Sequence, residues 1–224
     1  MGIMSSTELA DPEKDTQRLR RALLLCASFA AVLWAVELAE RLLGLELATY
    51  GIYPRSLRGL LGILTAPFIH GSIAHLASNT PPLIILGTAM LYGYPRSARI
   101  ALPVLFLGTG LGVWLFGRES YHIGASGLTF GMMFFVFAIG VVRWDRRAIA
   151  LSLIVFFLYG GMVWGVLPGD PSISYESHLA GALLGVTLAV LLRRLDPEPT
   201  PKRYSWEDET DGAERSDPED WRSP

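Results

Sequence analysis

The sequence predicts an all-α polytopic membrane protein with six transmembrane helices. Of its 224 residues 51% are hydrophobic and 18% are charged, and the mean hydropathy is +0.36, a composition typical of proteins that reside in a bilayer. No part of the chain repeats the apolar–polar alternation of barrel strands. The apolar segments are therefore predicted to be helices, in which each backbone group finds its partner within the segment.

Six apolar runs are each long enough to cross a hydrocarbon layer of about 30 Å at about 1.5 Å of helix per residue. The first run is interpreted as a span and not as a cleaved signal sequence, because it is too long and contains Glu37, Glu40 and Arg41 near its end. The runs cover residues 20–43, 73–93, 98–117, 124–142, 147–167 and 174–194. They predict a membrane domain over residues 20–194.

The positions of the charged residues predict the orientation. With the N-terminus inside, fifteen Lys and Arg residues lie on the cytoplasmic side and four on the outer side, as expected for cytoplasmic loops. Residues 1–19 are then a cytoplasmic N-terminal segment. Residues 195–224 contain ten acidic and four basic residues and are predicted to be an acidic, disordered cytoplasmic tail. The single cysteine, Cys26, excludes a disulfide framework and a cysteine metal cluster.

Polar residues lie near the starts of alternate spans. His70, His75 and Asn79 surround the start of the second span. Ser126 opens the fourth span and His178 opens the sixth. In the predicted orientation these three spans enter the bilayer from the outer side, so their first turns lie at similar depth. Because such groups in lipid cost about 1–3 kcal/mol each unless they are paired, we expect them to meet in one site.

Small residues at helical spacing follow the serine and the last histidine. The fourth span carries Gly127 and Gly131, and the sixth carries Gly181 and Gly185. Such G-xxx-G steps let helix backbones approach closely. The fourth and sixth spans are therefore predicted to pack together, with the serine within reach of the histidine.

The residue types in this cluster are those of nucleophilic catalysis. A serine such as Ser126 needs a base within about 2.6–3.2 Å, and histidine is the side chain best suited to that task near neutral pH. Asn79, His75 and the backbone N–H groups around Ser126 can donate to the oxyanion of a tetrahedral intermediate. Glu176 lies on a different helical face from His178, so a Ser–His dyad is predicted in preference to a triad.

Other interpretations of the same residues remain open at this point. A serine between small residues, as at Ser126, is also typical of a helix-packing position. His70, His75 and His178 are a candidate set of zinc ligands for a membrane hydrolase, although no carboxylate is placed as a general base. A catalytically idle protein that binds membrane clients would use the same cavity.

Three segments on alternate spans resemble the motifs of the rhomboid intramembrane serine proteases. They are HGSIAHLASN at residues 70–79, GASG at 124–127 and HLAGALLG at 178–185. The resemblance extends over roughly residues 55–194. It implies a six-helix rhomboid-like bundle with a water-filled cavity open to the outer side, and lateral access between the second and fifth spans.

The resemblance also implies roles for individual residues. Ser126 would be the nucleophile of a serine endopeptidase and His178 its general base. The oxyanion hole would comprise His75, Asn79 and the Ser126 backbone amide. Supporting roles would fall to His70, Gly124, Gly127, Phe130, Gly181 and Gly185. Phe130 stands where some members have a tyrosine, and its aromatic face can still pack under the general base.

The predicted substrates are single-span membrane proteins whose helix unwinds near the outer surface, because the peptide bonds of a stable helix are shielded by their own hydrogen bonds. No cofactor, metal ion or nucleic acid is expected, and the lipid bilayer is the other predicted partner. Seventeen arginines against two lysines indicate a GC-rich genome and a prokaryotic plasma membrane. His122 matches no catalytic role and is predicted to be an interfacial loop residue near the cavity mouth.

Overall fold

The computed structural model describes residues 12–197, which form a bundle of helices joined by short connections. The helices are α1 (Pro12–Leu43), α2 (Leu57–Thr65), α3 (Ile73–Gly93), α4 (Pro95–Phe116), α5 (Ser126–Arg143), α6 (Arg146–Tyr159) and α7 (Tyr175–Leu192). Short 3-10 segments cover Leu47–Tyr50, Ala66–Phe68 and Gly160–Val166. Over residues 12–197 the strand-like pairing is limited to an isolated bridge between Ile52 and His122. The predicted all-α class is confirmed.

The helices fit a polytopic membrane protein. Within the described part of the chain, five helices are long and apolar enough to cross a membrane. The number becomes six if α2 and α3, which meet at an angle of 72°, are counted as one bent span. α3 coincides with the predicted second span, and His75 and Asn79 lie in its first two turns.

The first helix begins earlier than the pattern predicts. α1 starts at Pro12 and not at residue 20, because proline suits the first helical turn and Glu13 and Asp15 are favourable near a helix N-terminus. Residues 1–11 and 198–224, which hold most of the two predicted terminal segments, lie outside the described residues.

The structure also differs from the prediction between the spans. The fifth predicted span, 147–167, ends as an α-helix at Tyr159 and continues as the 3-10 segment Gly160–Val166. The pattern predicts no helix at α2, which is nine residues long and too short to cross a membrane. Ser56 starts α2, since its side chain accepts the N–H of Gly59 at 3.0 Å.

α5 is the central helix of the bundle. It packs most extensively against α7 and also contacts α3, α4 and α6. Phe135, Val136 and Ile139 on this helix are fully buried. Because α5 begins at Ser126, the most enclosed helix of the bundle carries the candidate nucleophile on its first turn.

Asp196 joins the end of α7 to the start of α4. Its carboxylate accepts the backbone N–H groups of Arg96 at 2.8 Å and Ser97 at 3.0 Å, and its carbonyl oxygen accepts Nη1 of Arg143 at 2.9 Å. α4 has no side-chain cap from its own N-cap residue, so Asp196 satisfies donors that its first turn leaves free. Asp196, which the sequence assigns to the tail, is therefore buried against the starts and ends of neighbouring helices.

Replacing Asp196 with alanine is expected to lower the free energy of unfolding by about 1–3 kcal/mol, because the buried N–H of Ser97 loses a charged acceptor. The midpoint of thermal unfolding of the purified protein in detergent measures this change. Glu46→Ala is the control, since the exposed Glu46 side chain caps no helix. Equal midpoints for the two variants would contradict the prediction.

Candidate active site

Ser126 and His178 lie side by side at the starts of two packed helices. Ser126 is the first residue of α5, and His178 lies in the first turn of α7. Nε2 of His178 is 2.8 Å from Oγ of Ser126, a distance that permits proton transfer between a nucleophile and its base. The pair that the spacing brings to similar depth is thus in direct hydrogen-bond contact.

Glycines at the predicted G-xxx-G positions permit the close approach of α5 and α7. A Cβ atom on Gly181 would collide with the backbone oxygen of Gly127, and one on Gly185 would collide with the backbone oxygen of Gly131. Any larger residue at these positions on α7 would push the helices apart. Because Ser126 and His178 lie within about one turn of these contacts, the glycines set the separation of the two side chains.

The imidazole of His178 is held at its second nitrogen and on one face. Nδ1 lies 2.9 Å from the carbonyl oxygen of Gly165. Because a carbonyl can only accept, Nδ1 carries the proton, and Nε2 is left as the acceptor that faces Ser126. Phe130 stacks on the ring, with centroids 3.9 Å apart and planes 5° apart. The contacts therefore select the tautomer and the ring orientation that a general base requires.

Gly165 is a site residue that the sequence interpretation missed. Its contribution is a backbone carbonyl, a group that every residue has and that a sequence pattern cannot single out. It lies in the segment predicted to belong to the fifth span. The glycine-rich run GGMVWG at residues 160–165 is the one signal. A Cβ atom on Gly165 would lie 2.8 Å from Cζ of Phe130 and 3.3 Å from Nδ1 of His178, so this position requires glycine.

His70 and His75 lie against the loop that leads into Ser126. Their rings are 5.1 Å apart at an angle of 66°, and Nε2 of His70 accepts the backbone N–H of Ala125 at 3.4 Å. Gly124 has a φ of 104°, and a Cβ atom there would lie 2.8 Å from Cε1 of His75. Both the backbone conformation and the close contact therefore require glycine at position 124.

Hydrogen-bond donors lie on α3 and at the adjoining start of α5. Asn79 is 6% exposed and donates one amide hydrogen to the backbone oxygen of His75, at an Nδ2–O distance of 3.1 Å. Its second amide hydrogen remains available. Ser126 is the first residue of α5, so its N–H has no acceptor within the helix.

Glu176 binds Arg118 and not the imidazole of His178. Its Oε1 accepts the backbone N–H of Arg118 at 3.3 Å and lies 3.7 Å from Nη1 of the same residue. This pairing fastens the start of α7 to the loop after α4. Within residues 12–197 the hydrogen-bond partners of the His178 ring are Gly165 and Ser126, so a backbone carbonyl and not a carboxylate contacts Nδ1.

His122 lies in the interior, contrary to the prediction of an interfacial position. Its side chain is 2% exposed. Nδ1 is 2.6 Å from Oγ of Ser174, and Nε2 is 3.0 Å from the carbonyl oxygen of Arg118. The polar loop suggested exposure, but the backbone bridge to Ile52 folds the loop back over the bundle and encloses the ring.

The histidines are not arranged as metal ligands. Over the part of the chain that the structure describes, no group of three or more His, Cys, Asp or Glu side chains could hold a metal ion. Both ring nitrogens of His178 contact Ser126 or Gly165, and His70 accepts a backbone N–H. The zinc alternative therefore finds no ligand set in this arrangement.

The fold and the site define a class of protein: a polytopic all-α membrane protein with a serine–histidine pair between two packed helices. Residues 58–195 match the Rhomboid domain, a range that contains α3 to α7 and all the predicted site residues. The chain belongs to the rhomboid family. Members of this family are generally intramembrane serine proteases that act on membrane proteins, and some members are inactive.

Bacterial and plant proteins are similar to this chain. An uncharacterized protein of Mycobacterium tuberculosis is 41% identical over 178 residues, covering 74% of this chain and 72% of the relative. One from Mycobacterium leprae is 36% identical over 197 residues, covering 81% and 76%. RHOMBOID-like protein 2 of Arabidopsis thaliana is 30% identical over 151 residues, covering 65% of this chain and 44% of the relative. The bacterial similarity thus extends over most of both chains.

Proposed function

We propose that this protein is an intramembrane serine endopeptidase that hydrolyses peptide bonds in or near the transmembrane segments of membrane-anchored proteins. The observation that carries the proposal is the 2.8 Å contact between Nε2 of His178 and Oγ of Ser126. The carbonyl of Gly165, which leaves Nε2 unprotonated, supports the same assignment. A serine used only for helix packing would need neither contact.

Acylation is the first half of the reaction. Oγ of Ser126 attacks the scissile carbonyl carbon while its proton moves to Nε2 of His178, and negative charge collects on the carbonyl oxygen. The imidazolium keeps its Nδ1–H on the carbonyl of Gly165. Transfer of the Nε2 proton to the leaving nitrogen breaks the C–N bond, which releases an amine and leaves the acyl group on Ser126.

The oxyanion would be bound by His75, the second amide hydrogen of Asn79 and the backbone N–H of Ser126. Such donors act on charge that develops in the transition state, and loss of one typically lowers the rate about 10²–10³-fold. His70 would support the site indirectly, since it holds the backbone of Ala125 beside the nucleophile.

Deacylation regenerates the enzyme. A water molecule gives a proton to Nε2 of His178 as its oxygen attacks the acyl carbon, and a second tetrahedral intermediate forms. Collapse returns the proton to Oγ of Ser126 and releases a carboxylic acid. One water is consumed for each peptide bond that is cut, so the site needs access to water.

The substrate class and the orientation complete the proposal. Single-span proteins with a locally unwound helix fit the site, because a hydrogen-bonded helix shields its peptide bonds. With both termini cytoplasmic, the starts of α3, α5 and α7 face the outer side of a prokaryotic plasma membrane. Cleavage would then release the outer part of the substrate.

Incubation of the protein in lipid vesicles with a panel of single-span test proteins tests the proposal. Wild-type protein is expected to cleave at least one of them and to react with a fluorophosphonate, whereas Ser126→Ala takes no label and cleaves about 10³-fold or more slowly. Cleavage that persists in Ser126→Ala and disappears with a chelator would support a metal enzyme. If the wild-type protein takes no label, and if it and Ser126→Ala capture membrane proteins equally well, the protein is a non-enzymatic binder.

A further inference from the structure

We infer that His122 is a positioning residue of this site, holding the first turn of α7 in place through a relay of two serine hydroxyls. The inference rests on the proposed protease function. His122 lies in the loop between α4 and α5, shortly before the proposed nucleophile in the chain, and no hydrogen bond joins its ring to Ser126 or His178. Its effect on the reaction is therefore indirect.

The relay runs from the loop to the start of α7. Nδ1 of His122 is 2.6 Å from Oγ of Ser174, and that oxygen is 2.7 Å from Oγ of Ser177. Ser174 is the N-cap residue of α7, and its Oγ also accepts the backbone N–H of Ser177 at 3.3 Å. All three side chains are at least partly buried, so water competes poorly for these hydrogen bonds.

The carbonyl oxygen of Arg118 determines the direction of each hydrogen bond in the relay. Nε2 of His122 is 3.0 Å from the carbonyl oxygen of Arg118, and since a carbonyl cannot donate, Nε2 carries the proton of the neutral ring. Nδ1 then accepts from the hydroxyl of Ser174. The Ser174 oxygen in turn accepts from the hydroxyl of Ser177, so all three side chains are satisfied at once.

The end of the relay lies next to the proposed base and nucleophile. The carbonyl of Ser174 accepts the backbone N–H of His178 at 3.3 Å. Ser177 directly precedes the base, and its carbonyl would lie 3.0 Å from a Cβ atom on Gly127, the residue after the nucleophile. A displacement of this turn would therefore change the 2.8 Å separation on which proton transfer depends.

The other end of the relay is fixed to the bundle. The backbone of His122 exchanges two hydrogen bonds of 2.9 Å with Ile52 in the loop between α1 and α2. Gly51 packs so closely that a Cβ atom there would lie 2.8 Å from the His122 carbonyl oxygen. His122 thus connects three loops, before α2, before α5 and before α7, at the end of the bundle that holds the site.

Two substitutions at position 122 test the roles of the two ring nitrogens of His122 separately. An asparagine oxygen can take the place of Nδ1 and accept from Ser174, whereas a glutamine amide can replace the Nε2 donor to Arg118 but leaves Ser174 without its acceptor. In vesicles, His122→Gln is expected to lower kcat about tenfold with little change in KM. His122→Asn is expected to retain most of the rate. Thermal unfolding midpoints monitor whether each variant is folded.

The rate of fluorophosphonate labelling provides a second measurement, because it reports on the nucleophile without substrate binding. Labelling of His122→Gln is expected to slow in parallel with kcat. The double variant His122→Gln with Ser174→Ala is expected to be no slower than Ser174→Ala alone, since both changes break the same relay. Thr187→Ala removes an exposed hydroxyl from α7 that bonds only its own helix and serves as the matched control.

The outcomes distinguish this inference from the proposed function. Equal rates for wild type and His122→Gln, equal losses in the Gln and Asn variants, or additive effects in the double variant would each overturn the positioning role. If Ser126→Ala is inactive in the same experiment, the protease assignment stands without it. Proteolysis that survives in Ser126→Ala would overturn the serine-protease assignment and, with it, the role of His122.

Discussion

Replacement of His178 by asparagine is expected to lower peptide-bond cleavage and fluorophosphonate labelling of Ser126 about 10²–10⁴-fold. The hydroxyl loses the acceptor that lies 2.8 Å away, so it remains protonated and is a poor nucleophile. KM is expected to change little, because the imidazole acts on the proton of Ser126 and not on distant parts of the substrate. Initial rates in vesicles and the labelling rate measure the two effects.

Glu176→Gln is the matched control for this prediction. Its carboxylate is bound to Arg118, so its loss is expected to change the rate less than about tenfold, since only a loop contact is weakened. A loss comparable with that of His178→Asn would show that a carboxylate orients the base and that the site is a triad. Labelling of His178→Asn at the wild-type rate would contradict the assignment of the base.

Of the substitutions proposed for this protein, Gly181→Ala is expected to cost the most stability, lowering the free energy of unfolding by about 1–3 kcal/mol or more. The added methyl group would meet the backbone oxygen of Gly127 on α5, and a backbone atom in the central helix cannot move aside as a flexible side chain can. The helices must separate, which also weakens the contact between Ser126 and His178. The midpoint of thermal unfolding and the labelling rate are therefore both expected to fall.

Gly161→Ala is the control for the Gly181 variant, because the same methyl group at position 161 would have no atom within 4 Å. Its unfolding midpoint and labelling rate are expected to stay close to those of the wild type. If the two alanine variants unfold at the same temperature, close backbone contact is not what holds α5 against α7.

The orientation of His178 has an electrostatic explanation. A buried carboxylate beside the imidazole would lose its hydration, a cost that an ion pair recovers only with excellent geometry. The carbonyl of Gly165 supplies an acceptor for Nδ1 without a net charge. Stacking on Phe130 adds orientation from an apolar surface. A neutral support of this kind suits a general base in a bundle that is surrounded by lipid.

Residues that act through their side chains were accessible to prediction. Ser126, His178, His75 and Asn79 are unusual within apolar runs, so their cost in lipid and their common depth pointed to one site. The glycines of α7 were equally visible, because small residues at a spacing of four indicate helix contact. A contact made by the backbone could not be predicted in this way, since every residue type has a carbonyl like the one that Gly165 contributes.

Position in the chain also gave the wrong surroundings for two residues whose contacts are with distant segments. Asp196 counted as part of an acidic tail, yet it caps α4, a hundred residues earlier in the chain. His122 was assigned to an interface because its neighbours in sequence are polar. Its burial comes from a bridge to Ile52, and no local pattern encodes such a contact.

By itself, then, the sequence determined the membrane class, the approximate spans and the residue types of the candidate site, because hydropathy and residue type are local properties. Only the tertiary structure decided that α5 and α7 bring a hydroxyl and an imidazole to 2.8 Å, which nitrogen of that ring is free to accept a proton, and which loops hold it there. Those properties depend on distances between segments far apart in the chain, and such distances arise only when the helices pack.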